Sequence, residues 1–170
     1  MKQIFSLGEV HDFLDFIFAK LQEVGIDASD LELDHLAYQA SSNEDYDLRK
    51  NDFVKFTQLK SEEIVGGRRV SIFQLNDDIT HHDRIINAIE LIAPKQGQQC
   101  PSALEHVEFV IRETFTELMN LYPELDWDVS AIAQPDFPMI KLKLSNSVQV
   151  KFHYEPVLKI IADKYKEVIR

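Results

Sequence analysis

One short phrase occurs twice in the chain, as Asp34-His35-Leu36-Ala37-Tyr38 and as Glu105-His106-Val107-Glu108-Phe109, each time an acid-His pair at the start of a strand-like run. A histidine at the same place in two related half-chains is the way a duplicated fold brings two imidazoles to one point. Imidazole is the commonest protein ligand for a transition metal. A duplicated fold with a metal-centred cavity is therefore the leading expectation.

The elements around the two phrases repeat as well. Ser6 and Glu9 have capping-box spacing, and Val10, Phe13, Leu14, Ile17, Phe18, Leu21 and Val24 follow at helical intervals until Gly25. A strand is expected at 33–40, a helix at 42–58, and strands at 62–65 and 69–75 joined by Gly66-Gly67. The polar stretch 76–83 reads as a loop, and 85–93 as the next strand, ended by Pro94. After the polar connector 95–102 the order restarts. A strand is expected at 104–111, then a helix capped by Thr114 and Glu117, then strands near 127–133, 137–144 and 148–154. A closing amphipathic helix runs on from Pro156. The fold class expected is α+β: two paired βαβββ modules, at about 30–95 and 102–155, forming a concave mixed sheet in one domain over 1–170. Extra helices at 6–25 and 156–169 flank them.

Composition narrows the function. With 29 acidic and 18 basic residues the formal charge is −11, which repels phosphate backbones and anionic bilayers, so no nucleic acid or membrane partner is expected. The single Cys100 excludes an internal disulfide and suits a reducing, cytoplasmic location. The start, Met1 to Leu7, lacks an export signal's apolar stretch, and no apolar run reaches a membrane span. Monomer and homodimer are both compatible with the sequence.

Strand alternation groups the polar residues. His106 and Glu108 share one face, and Val107, Phe109 and Ile111 take the other. Glu90 stands opposite Ile89 and Leu91, and Gln149, Lys151 and His153 stand opposite Val148, Val150 and Phe152. Ile89-Glu90-Leu91 before Pro94 also matches Val150-Lys151-Phe152 before Pro156, which makes Glu90 and Lys151 equivalent. Together, His35, Glu90 and His106 form a two-His-one-carboxylate set able to hold Zn, Ni, Mn or Fe(II) with positions open to substrate, and Glu108 is the candidate catalytic base. The competing reading makes each histidine a hydrogen-bonded core residue. Lys151 either grips a substrate carboxylate or extends along the strand towards water. His153 either replaces Lys151 as a ligand or sits at the rim. In a non-catalytic alternative the same face binds a small ligand through Lys151, Gln149, Gln74 and Tyr38. His81-His82 reads as a solvated turn and His11 as structural.

Taken together, Asp34-His35-Leu36, Gly67-Arg68 with Ile72-Phe73-Gln74-Leu75, Ile89-Glu90-Leu91, Glu105-His106-Val107-Glu108 and Lys151-Phe152-His153 resemble the vicinal-oxygen-chelate superfamily of glyoxalase I, extradiol dioxygenases and bleomycin-resistance proteins. The chain is more closely similar to the YecM family of bacterial proteins. The resemblance implies a divalent metal between the modules, held from the first and fourth strand of each, at His35, Glu90, His106 and Lys151. Lys151 departs from the pattern, because an ammonium cannot coordinate and repels a cation. The function implied is a metal-dependent isomerase, lyase or oxygenase acting on a small oxygenated metabolite, with the non-catalytic small-ligand module as the alternative.

Overall fold

A computed structural model describes residues 6–168. The opening stretch read for an export signal, and the expected helix end at 169, lie partly or wholly outside these residues. Four helices and eight strands run in the order α1 (Leu7–Glu23), β1 (Glu32–Gln39), α2 (Asn43–Phe53), β2 (Thr57–Val65), β3 (Arg68–His81), β4 (Arg84–Ile92), β5 (Ala103–Val110), α3 (Phe115–Leu121), β6 (Trp127–Asp128), β7 (Ile140–Lys143), β8 (Gln149–His153) and α4 (Val157–Val168). The strands form one mixed sheet in the order β2-β3-β4-β1-β5-β8-β7-β6. Each half is thus a βαβββ unit, and the halves meet where β1 pairs antiparallel with β5.

Register confirms the duplication. Within each half the first and fourth strands run parallel, with Ala37 opposite Glu90 and Glu108 opposite Lys151. The backbone N–H of Ala40 donates to Ile92 O as that of Ile111 donates to His153 O. Glu90 and Lys151 are therefore true counterparts, Ala37 is the counterpart of Glu108, and His153 stands where the first half has Ile92.

One face of the sheet carries α1, α2 and α3. Val10, Leu14, Ile17 and Leu21 of α1, Tyr46 and Phe53 of α2, and Phe115 and Leu118 of α3 pack on Leu36, Phe73, Ile89, Val107, Phe109, Val150 and Phe152. The capping box of Ser6 and Glu9 starts α1, and Gly25, at φ 82, ends it by letting Ile26 N–H donate back to Leu21 O. On the other face α4 lies over the sheet, and Val157, Leu158 and Ile161 pack with Phe137 on Ile72 and Ala88. Lys164 pairs with Glu63, and the Tyr165 hydroxyl donates to Lys60 O.

Several expected boundaries move. The second helix stops at Phe53, not 58, because Thr57 Oγ1 donates to Phe53 O and the chain turns into a strand that starts at 57 and not 62. The polar run 76–83 is mostly strand. Its ladder with β4 uses backbone groups, which polar side chains do not disturb, and Ile79 and His81 are buried while Asn76 to Asp78 face out. The strand expected at 127–133 ends at Asp128, and the one at 137–144 begins at Ile140. The residues between loop out, closed by Met139 N–H on Ala131 O, and deliver Phe137 to the α4 side. No described helix is long and apolar enough to cross a membrane.

Candidate metal centre

Two breaks in the β1–β5 register build the site. Leu33 pairs with Phe109 and His35 with Glu108, which leaves Asp34 without a partner. Ala37 pairs with His106 and Tyr38 with Leu104, which leaves Glu105 without one. Each acid before a histidine is thus the extra residue of a β-bulge, a distortion that re-aims side chains. In regular strand an acid and the next residue point to opposite faces. Here Asp34 Oδ2 accepts from His35 Nδ1 at 2.8 Å, and a Glu105 carboxylate oxygen accepts from His106 Nδ1. Both imidazoles are held by Nδ1, so each presents Nε2 to the shared interior.

The two Nε2 atoms meet at Glu108, whose Oε1 lies 3.6 Å from that of His35 and 3.1 Å from that of His106. Glu90 Oε2 is 3.1 Å from His106 Nε2. One donor atom from each of His35, Glu90, His106 and Glu108 falls within 4.8 Å of the others. The expected trio is therefore assembled, with Glu108 as a fourth member. Lys151 Nζ donates to Glu108 Oε1 at 2.8 Å and lies 4.0 Å from Glu90. His153 is buried, not at a rim. Its Nε2 faces Asp34 at 3.4 Å and Glu108 Oε2 at 3.3 Å, and it groups with Asp34 and His35.

The remaining candidates lie further out. Gln149 Nε2 donates to Glu105 Oε1 at 2.8 Å, which puts it behind His106. Gln74 is half-buried opposite Ala88. Tyr38 does not reach this face. It belongs to the core under the helices, where its hydroxyl meets Ser102 Oγ at 3.0 Å. His81 is also not solvated, being 3% exposed beneath α1. Alternation alone misses Asp34 and Glu105 as imidazole partners, although the acid before each histidine was the signal available.

Charge explains the protonation. Burial alone would push His35 down, but the Glu108 charge and the Asp34 hydrogen bond outweigh it and raise its pKa to about 10. For His106, burial and the Lys151 charge push down, and Glu105 and Glu108 prevail to raise it to about 9. Burial would lift Glu90, yet Lys151 and His106 bring it to about 2, and Glu108 falls well below the carboxylate range against Lys151 and His35. Burial and the Glu108 charge oppose each other at Lys151, and the charge wins, so it stays protonated.

These residues fit a divalent cation. His35 Nε2, Glu90 Oε2 and Glu108 Oε2 are buried without hydrogen-bond partners, a costly condition that a shared ion relieves. Glu90, Glu105 and Glu108 face the fixed cation Lys151, and two imidazolium protons or one dication supply the same further charge.

The family described as YecM protein matches residues 3–153. An uncharacterized protein of Haemophilus influenzae is 28% identical over 103 residues, 58% of this chain and 54% of the relative, so the match spans about half of that relative's length. Among solved structures, the structural-genomics protein EC4020 is similar with a TM-score of 0.76 at 19% identity, covering 92% of this chain and 91% of the other. The hypothetical protein BH1468 from Bacillus halodurans C-125 gives 0.53 at 13% identity, covering 75% and 96%. The fold, two βαβββ units in one mixed sheet, is shared with EC4020 over nearly its whole length.

Proposed function

Because the chain belongs to the YecM protein family and carries two imidazoles aimed at one buried carboxylate, we propose that it is a metal-dependent enzyme acting on a small oxygenated metabolite. The convergence of His35, Glu90, His106 and Glu108 donor atoms within 4.8 Å carries this reading. His35 Nε2, His106 Nε2 and Glu90 would hold the ion, a set suited to Zn, Ni, Mn or Fe(II). When bound, the ion supplies Lewis acidity to a chelated carbonyl or enediolate, the chemistry of an isomerase, lyase or oxygenase.

Asp34 and Glu105 fix the imidazole orientation. Glu108 has two parts open to it: Oε1, beside His106, fits a fourth donor, and Oε2, without a hydrogen-bond partner, fits an acceptor for a substrate proton. Glu108→Gln separates them, since loss of a donor weakens metal binding while loss of a base stops turnover with metal in place. Lys151, held between Glu108 and Glu90, is placed to meet a substrate carboxylate or oxyanion. His35 and His106 are 1% and 0% exposed, so substrate entry requires α4 or the 129–139 segment to shift.

The test is metal content after dialysis, followed by oxalate as a bidentate oxygen probe. The expected result is loss of one metal equivalent in His35→Ala and in His106→Ala, with oxalate raising the melting temperature of metal-loaded protein only. Unchanged metal content in both variants would overturn the proposal. Oxalate stabilisation in the presence of chelator would favour the non-catalytic module.

A further inference from the structure

A second group of imidazoles stands on the other side of the sheet, where the β3–β4 turn meets α1. His11 and Asp15 are four residues apart on α1 and share one face of the helix. His81 ends β3 and His82 forms the turn. Consecutive strand residues point to opposite faces, but His82 has φ 53, which breaks the alternation and folds its ring against that of His81. The two ring centroids are 4.4 Å apart at an interplanar angle of 71°.

Asp15 Oδ1 lies 3.2 Å from His81 Nε2 and 3.5 Å from His82 Nε2, and the three donor atoms fall within 4.8 Å of one another. His81 is 3% exposed and its Nε2 has no hydrogen-bond partner. That nitrogen is aimed at Asp15 without the alignment of a hydrogen bond, which leaves a buried polar atom in want of a ligand. Its other nitrogen, Nδ1, meets His11 Nδ1 at 2.9 Å. With the proton of that bond on His81, its Nε2 carries a lone pair, the form that binds a cation. Phe18 stacks under the His81 ring at 6.0 Å and 8°. The nearby Arg84 is paired with Asp83 at 3.1 Å.

We propose that Asp15, His81 and His82 form a second metal site, separate from the central one, that takes a borderline divalent ion such as Zn²⁺ and fastens α1 to the β3–β4 turn. Two imidazoles and a carboxylate are a zinc donor set, with the remaining positions left to water. His11 is a positioning residue, holding the His81 tautomer. Asp15 and His82 side chains are 63% and 70% exposed, so the ion enters from solvent without movement of α4. This distinguishes the site from the buried centre.

The experiment is a Zn²⁺ titration by calorimetry on the full chain, on His82→Asn, on Asp15→Asn and on the double variant His35→Ala with His106→Ala. Asn accepts the positive φ at 82 and is a poor zinc ligand, and both peripheral substitutions are at exposed positions that leave the core intact. The expected result is one zinc equivalent fewer in His82→Asn and in Asp15→Asn than in the wild type. The double central variant keeps one equivalent, which adding His82→Asn removes. His11→Ala weakens this binding without changing its stoichiometry. If the central centre takes no zinc, the wild type binds one equivalent and His82→Asn none. Stoichiometry and affinity unchanged in both His82→Asn and Asp15→Asn would overturn the proposal.

Discussion

Asp34 Oδ2 accepts the backbone N–H of Val157 at 3.0 Å while accepting His35 Nδ1–H at 2.8 Å. One carboxylate therefore orients a candidate ligand and caps the helix that covers it. Pro156 has no side chain able to cap α4, although its carbonyl accepts from Lys159 and Ile160, so the cap comes from a bulge in β1. Asp34→Ala removes both bonds. Metal affinity should fall roughly 10–100-fold, and amide exchange should quicken across 157–168. Exchange unchanged in that segment would show that Asp34 does not hold α4.

Lys151 is the counterpart of Glu90 and sits 2.8 Å from Glu108. In metal-free protein, Lys151→Met leaves two buried carboxylates without their fixed cation, a change of about 3–5 kcal/mol in the destabilising direction. In metal-loaded protein the same change removes a repulsion. Urea denaturation with chelator and with Zn²⁺ should therefore show a large loss in the first and a smaller one in the second, with tighter zinc binding. Weaker zinc binding would contradict the assignment of Lys151 as a counter-charge competing with the ion.

Much of this was legible in the sequence, because apolar alternation and turn residues set both βαβββ units, and the Pro94 and Pro156 boundaries set the match between Glu90 and Lys151. Single-residue register slips were not. Whether Asp34 or Glu105 drops out of the ladder depends on how Leu33 and Leu104 seat in the core under the helices, and that is a property of the packed sheet. Helix α4 was legible as amphipathic, but not which face of the sheet its apolar stripe would cover. The polar run 76–83 reads as loop, and His81 as solvated with it, because neither alternation nor composition shows that α1 lies over that end of β3.

The pH dependence of metal-free protein follows from the histidines. His35 and His106 rise from 6.5 to about 10 and about 9. Groups raised on folding stabilise fully below the unfolded value near 6.5, and that contribution declines as pH rises and is lost through the folded values. Glu90, lowered from 4.5 to about 2, has the opposite sign, its contribution being present above 4.5 and lost as pH falls through 2. With chelator present, stability should fall between pH 7 and pH 10. Glu108→Gln should flatten that fall, since the Glu108 charge is the leading influence raising His35. An equally steep fall in Glu108→Gln would refute the assignment.

Metal loading should also expel protons. The central site gains a dication where two imidazolium protons stood, so zinc binding near pH 7 should release about two protons. Calorimetry in buffers of different ionisation enthalpy, with His82→Asn to isolate the central site, measures the number. Zinc binding to that variant without proton release would mean that His35 and His106 are not the ligands.

The most direct measurement is anomalous diffraction above and below the zinc edge on crystals of zinc-loaded protein. The account predicts a peak between the two halves of the sheet, bonded to His35 Nε2, His106 Nε2 and Glu90. Density in which His106 still bonds Glu108 and His35 Nε2 still only faces it, with no anomalous peak between the rings, would contradict it.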